Sequence, residues 1–191
     1  MTRGVVPPVY SDFICFAEGP ARIGIPAGVS AERGPGMLER IVYVSRAASG
    51  LVREDVFEII RTAHRCNAAA GITGGMVDLD GWFVQVLEGP GGPLGAAFSR
   101  IAADPRHHGL DLRIRMAALT RLFPDQPMAL RQRPHVSEAL LGAFGYDPGF
   151  PVAAFPADVM CEFVVEACRG AWRIPGELPA PAALRRRSRT L

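Results

Sequence analysis

Three uncharged polar residues occupy positions where the surrounding pattern calls for apolar ones. Tyr43 is centred in Ile41-Val-Tyr-Val-Ser, Gln85 in Phe83-Val-Gln-Val-Leu, and Asn67 falls on the apolar face of Arg53–Ala69. A phenol or amide withdrawn from water needs a hydrogen-bond partner, since an unsatisfied one costs about 1–3 kcal/mol. Each of the three could meet that need by capping a neighbouring backbone group, and for Asn67 an ordinary helix-end role is enough. Together, two amides and a phenol with no charge among them describe a site for the hydrogen-bonding edge of a neutral ligand such as a heterocycle. Asn67 is also the single asparagine in 191 residues, and every one of the 21 Lys+Arg residues is Arg. A bias towards Ala, Gly, Pro and Arg accounts for the absent lysine; a residue type that bias avoids, used once, carries more information.

Other chemistries find less support. His107 and His108 are adjacent, so their rings diverge in a helix or a strand, and no HExxH pattern surrounds them. Ser45 and Ser99 lack the strained GxSxG setting of a nucleophile. Gly89-Pro-Gly-Gly-Pro resembles a phosphate cradle only loosely, without the GK[ST] that would complete one, and reads as a turn. Cys15, Cys66, Cys161 and Cys168 show no CxxC spacing, which points to reduced thiols in a cytoplasmic protein over a disulfide frame or a zinc site. A net charge of +2 leaves no nucleic-acid footprint on the body of the chain, and no run of eighteen apolar residues is present to span a membrane. The opening MTRGVVPPVY lacks the apolar stretch of a secretory signal.

The elements that must position the three polar residues follow from periodicity. Arg40–Ser45 is short, β-branched and aromatic, as a buried strand is. Val56, Ile59, Ile60, Ala63 and Asn67 recur at helical spacing, and Gly71 stops that helix. Strands over Gly74–Val77 and Trp82–Leu87 flank Asp78-Leu-Asp-Gly, a hairpin signal. Pro93 opens a second helix with Leu94, Ala97, Phe98 and Ile101 on one face, followed by strands over Leu110–Leu119 and Met128–Arg131. The order predicts an α+β, ferredoxin-like βαββαββ fold: a five-stranded sheet with two helices on one face, plus C-terminal helices over Ser137–Phe144 and Ala157–Cys168. The chain divides into a flexible N-terminal extension (1–36), a sheet-and-helix domain (37–131), a helical cap (132–172) and a basic tail (173–191) with Arg185, Arg186, Arg187 and Arg189.

Three stretches, Ile41-Val-Tyr-Val-Ser-Arg-Ala, Asn67-Ala-Ala-Ala-Gly-Ile-Thr-Gly and Phe83-Val-Gln-Val-Leu-Glu-Gly-Pro, resemble the signature of the BLUF family, blue-light sensors using flavin. The resemblance runs from about Met37 to Leu130, with Tyr43, Asn67 and Gln85 at the family's separations and Asp104-Pro-Arg-His and Met128 in place. It implies a noncovalent flavin, FAD with FMN as the variant, held between the two helices over the sheet. Asn67 would then bond the pyrimidine-side carbonyl, Gln85 would bridge flavin and Tyr43, Ile59 and Ile101 would clamp the ring faces, and Phe83 would pack beside them. Arg106 and His107 would lie along the ring edge or towards the ribityl-phosphate chain, and Tyr43, Gln85 and Met128 would form the photoactive set.

The resemblance further implies a photoreceptor without catalytic activity, since the 60 residues after Arg131 are too few for a cyclase or phosphodiesterase. Its signal would pass to a separate partner protein or alter self-association, and a homodimer is one way to cover the apolar last helix. The alternative is a flavin-free interaction module that keeps the fold; a small enzyme of acylphosphatase type is disfavoured because Asn67 is on a helix end. Departures from the family pattern are Gln126 where many members have tryptophan, Ala63-His64 in place of Ser-Arg with Arg65 displaced by one, and Gly75 where a bulky aliphatic is usual, which predicts a loose strand or a roomier pocket.

Overall fold

The computed structural model describes residues 36–146 and 155–170. The expected extension, apart from residue 36, and the basic tail lie outside the described residues. In chain order the elements are β1 (Leu38–Ala47), α1 (Arg53–Ala69), β2 (Thr73–Leu79), β3 (Trp82–Pro90), α2 (Gly91–Ala103), β4 (His107–Ala117) and β5 (Ala129–Gln132). A short 3-10 turn (Arg133–His135), α3 (Glu138–Ala143) and α4 (Ala157–Cys168) follow. The sheet order is β4-β1-β3-β2-β5, with β2 and β5 parallel and the remaining pairs antiparallel. This is the expected α+β plan, with α1 and α2 on one face of the sheet and α4 on the other.

Local chemistry explains the corners. Helix α1 ends in a Schellman arrangement, with Ile72 N–H donating to the Asn67 carbonyl (2.8 Å) and Gly71 N–H to the Ala68 carbonyl (3.3 Å). Gly71 takes φ +65°, the left-handed conformation that this cap needs. Asp80 and Gly81, both with positive φ, make the two-residue turn between β2 and β3. Strand β4 begins three residues earlier than its apolar pattern suggests, because His107 and His108 pair with Ala47 and Arg46. Two register shifts against β1 absorb the extra residues of β4, one of them around Gly109 at φ +60°. Met128, expected inside the last strand, lies just ahead of it.

The start of α2 settles the glycine cluster. The buried Glu39 carboxylate lies against the first turn of α2, where a Cβ on Gly91 would approach its Oε1 to 2.6 Å. Glu39 is held there by Arg115 Nε at 3.0 Å. The helix N-terminus, which favours a negative charge, is thus served by an internal carboxylate, and the glycine makes room for it.

On the α4 face, the segment between β4 and β5 is tied down by a second buried carboxylate. Glu88 accepts from Arg40 Nε (2.7 Å) through Oε1, and from the backbone N–H groups of Leu122 (2.8 Å) and Phe123 (3.1 Å) through Oε2. Arg121 adds bonds to Thr73 Oγ1 (2.7 Å) and to the carbonyls of Glu88 (2.9 Å) and Gly71 (2.8 Å). The Phe123 ring then packs on Gly75, where an added Cβ would meet the ring at 2.8 Å and Cys168 Sγ of α4 at 3.0 Å. Gly75 therefore does not loosen the strand or widen the helix-side pocket, as its sequence position suggested; it admits Phe123 and α4 on the opposite face. Arg131 of β5 closes this contact by donating to the Ala167 carbonyl (2.7 Å) and the Arg169 carbonyl (3.1 Å) at the end of α4.

Filling that slot is expected to destabilise the domain. Gly75→Val should cost about 1–3 kcal/mol in urea unfolding, and Phe123→Leu in the same chain should recover part of it. Strict additivity of the two substitutions would show that they do not share the slot.

Candidate functional site

Register brings the polar residues together. Tyr43 of β1 is directly opposite Gln85 of β3, and Gln85 is opposite Met76 of β2, on the sheet face covered by α1 and α2. Tyr43 is fully buried and its hydroxyl donates to Gln85 Oε1. The other end of the same amide, Nε2, donates to Met128 Sδ at 3.5 Å. Burial, reinforced by the negative charge of Asp104, pushes the Tyr43 phenol far above its ordinary pKa, so it stays protonated. The edge of its ring meets Phe98 of α2, with centroids 5.6 Å apart.

Above this floor is a cleft between α1 and α2, open at its mouth, with about 110 Å³ of internal space. Ile59 of α1 and Ile101 of α2 contribute apolar wall, while Tyr43, Gln85, Asn67 and Met128 contribute polar or polarisable atoms. Asn67 Nδ2 donates to the Pro127 carbonyl (2.9 Å), so this side chain both lines the cleft and caps a backbone group, the two roles weighed for it. An amide carries two N–H donors and one carbonyl, which leaves capacity for a ligand beyond that bond.

Arg106 and His107 also line the cleft, at the start of β4. Arg106 is bound to Asp104 by Nε (2.9 and 3.1 Å) and Nη2 (2.6 Å), with its backbone N–H on the same carboxylate at 2.9 Å. Burial alone would raise the Asp104 carboxyl, but the hydrogen bonds and charge of Arg106 outweigh it and hold the group below the usual carboxylate range. His107 Nδ1 is 3.0 Å from Ser45 Oγ, and its ring is tilted against Phe83 with centroids 5.1 Å apart. Burial holds the His107 pKa below its ordinary value, with Asp104 opposing and Arg106 assisting.

Of the nine residues expected at the site, eight line the cleft, and Phe83 lies behind His107 as a fully buried support. Sequence reasoning missed Ser45, although its place two residues after Tyr43 puts it on the same strand face. It also missed Arg100, Thr62 and Cys66 in the lining; Thr62 and Cys66 follow Ile59 at helical spacing, which was the available signal. Gln126 is half-buried and outside the lining, with its backbone carbonyl accepting from Gly74 N–H at 2.8 Å. Arg65 is exposed and likewise outside it. Cys161 and Cys168 are free thiols among the described residues, as the spacing leads one to expect for these two. Burial pushes the Cys168 thiol up to about 12.

A histidine held neutral makes stability depend on pH in one direction. As the pH falls below the ordinary histidine value of 6.5, the unfolded chain takes up a proton that folded His107 resists. Its contribution is therefore complete above that value and is lost as the pH drops through the depressed one. The loss of unfolding midpoint between about pH 7.5 and about pH 5.5 should be smaller in His107→Gln than in the parent chain; an equal loss would show that His107 titrates normally.

Comparison with known proteins places this geometry. Residues 38–129 match the sequence model of BLUF, described as sensors of blue-light using FAD. The photoactivated adenylate cyclase subunit beta-like protein FB of Euglena gracilis is 36% identical over 111 residues, covering 57% of this chain and 13% of that protein. The photoactivated adenylate cyclase subunit beta of Euglena longa is 40% identical over 74 residues, 39% of this chain and 9% of that one. This chain thus spans only a small part of the curated relatives it matches. Among solved structures, the dark state of BlrB, a BLUF protein, aligns with a TM-score of 0.60 at 28% identity, covering 70% of this chain and 98% of BlrB. The photo-activated state of BlsA shares the fold, with a TM-score of 0.64 at 22% identity over 72% of this chain and all of BlsA. Sequence match and fold agree over the same stretch, and residues 38–129 form a BLUF domain.

Proposed function

We propose that residues 37–131 bind a flavin, FAD in the first instance, noncovalently in the cleft between α1 and α2 and act as a blue-light sensor. The observation that carries this reading is the bond chain Tyr43–Gln85–Met128 on the cleft floor. The residues present fit the group: apolar side chains from two helices suit the faces of a flat ring, and neutral amides suit its heteroatom edge. In this reading Ile59 and Ile101 take the ring faces, and Asn67 and Gln85 take the pyrimidine edge. Arg106 and His107 lie along the ring, backed by Phe83.

A bound flavin supplies blue-light absorption and a strongly oxidising excited state. Tyr43 is the group placed to respond. Because its phenol is protonated and bonded to Gln85 Oε1, loss of an electron is coupled to release of the proton onto that oxygen. Gln85 answers by exchanging its two ends, through rotation or tautomerisation; the ends have similar shape and opposite hydrogen-bond sense. After the exchange Nε2 faces Tyr43, and the donor to Met128 Sδ is gone. The proton goes back from Oε1 to Tyr43 with the electron as Oε1 turns away, and the neutral amide left with its ends exchanged persists as the lit state. Met128 immediately precedes β5, whose Arg131 holds the carbonyls at the end of α4, so residues 132–172 are the proposed receiving cap. The signal then goes to a separate protein without catalysis by this domain, in the cytoplasm, with self-association as the other outlet.

Two measurements test this. The protein purified in the dark should be yellow and show a small reversible red shift of its flavin bands under blue light; a colourless protein that takes up no added FAD would sink the reading. Tyr43→Phe should keep the colour and lose the shift, and a normal shift in that variant would remove Tyr43 from the mechanism.

A further inference from the structure

The cleft lining carries three formal charges, Arg100, Asp104 and Arg106, and two of them cancel. Arg106 spends its side chain on Asp104, and the groups that act on the Asp104 carboxyl are Arg106 and His107, with no contribution from Arg100. His107 is held neutral, as described above. Across the cleft, Thr62 and Ala63 of α1 add no charge, and Arg61 points its guanidinium at Glu58. Among the described residues Arg100 has no ion-pair partner. It is exposed, in the last turn of α2 and one residue before Ile101, so it stands at the mouth of the cleft with one uncompensated positive charge.

We propose that Arg100 is the residue by which this cleft selects phosphorylated flavins, gripping the phosphate on the ribityl chain of FMN or FAD. The proposal rests on the flavin reading and adds the phosphate contact to it. Of the two places expected for Arg106, the ring edge and the ribityl-phosphate chain, its neutralisation by Asp104 leaves the ring edge, and the phosphate belongs to Arg100. A guanidinium matches a phosphate with two parallel N–H···O bonds, a geometry an ammonium cannot reproduce. At the mouth the bond is solvated, so the expected gain is moderate and sensitive to salt.

The test titrates riboflavin, FMN and FAD separately into the flavin-depleted full-length chain and reads affinity from flavin fluorescence. FMN and FAD should bind about tenfold tighter than riboflavin at low ionic strength, and the ratio should shrink in about 0.5 M salt. Arg100→Gln should bring the ratio to about one, whereas Arg106→Gln should weaken all three flavins together and leave the ratio standing. A parent chain with no preference, a preference that survives Arg100→Gln, or one abolished by Arg106→Gln overturns the proposal while flavin binding itself stands. Failure of all three flavins to bind overturns the flavin reading, and this proposal with it.

Discussion

The bond between Tyr43 and Gln85 exists only in one register of β1 against β3. The two residues are directly opposed, and a slip of a single residue would send one of them to the α4 face among Val42, Val84 and Val86. The valines on either side of each polar residue fix that register, because they fill the core under α4 while the polar pair faces the cleft. The Tyr43–Gln85 contact is thus secured by apolar burial on the opposite side of the sheet. Its neighbours inherit the constraint: Ser45 reaches His107, and Met76 comes under Gln85, from the same alternation.

The segment between β4 and β5 is where the two faces of the sheet meet. From the cleft side it is held by Asn67 on Pro127 and by Gln85 on Met128; from the other side Glu88 grips the amides of Leu122 and Phe123. A carboxylate buried as completely as Glu88 is tolerable only because the Arg40 guanidinium and two backbone donors satisfy it. Breaking such a cluster on one side leaves a buried charge without its partner, so the segment has few intermediate positions. That stiffness is what a change of one amide orientation needs if it is to be felt 3 to 4 residues along the chain at Arg131.

Much of this was legible before any coordinates. Periodicity located both cleft helices and the five strands, since each buries one clear face, and the register-setting valines are plain in the sequence. Tyr43, Asn67 and Gln85 stood out because polar atoms in apolar runs must find partners. Less legible were features decided by contacts distant in sequence. The early start of β4 depends on bulges that only pairing with β1 reveals. The meaning of Gly91 depends on Glu39, and that of Gly75 on Phe123 and Cys168, partners that no local pattern connects. Arg106 looked like the cation of the site because its bond to Asp104, two residues away, is not written in the spacing.

Gly75, Phe123 and Cys168 come from β2, the β4–β5 segment and α4, yet they fill one slot. Three distant parts of the chain are therefore matched in shape as well as linked by covalent connection. An engineer who transplants this sheet-and-helix core onto a foreign terminal helix, or who grafts this α4 onto another domain of the same fold, has to carry all three residues across. A relative with a bulky residue at the Gly75 position presents a different socket, and its terminal helix is cut to a different key.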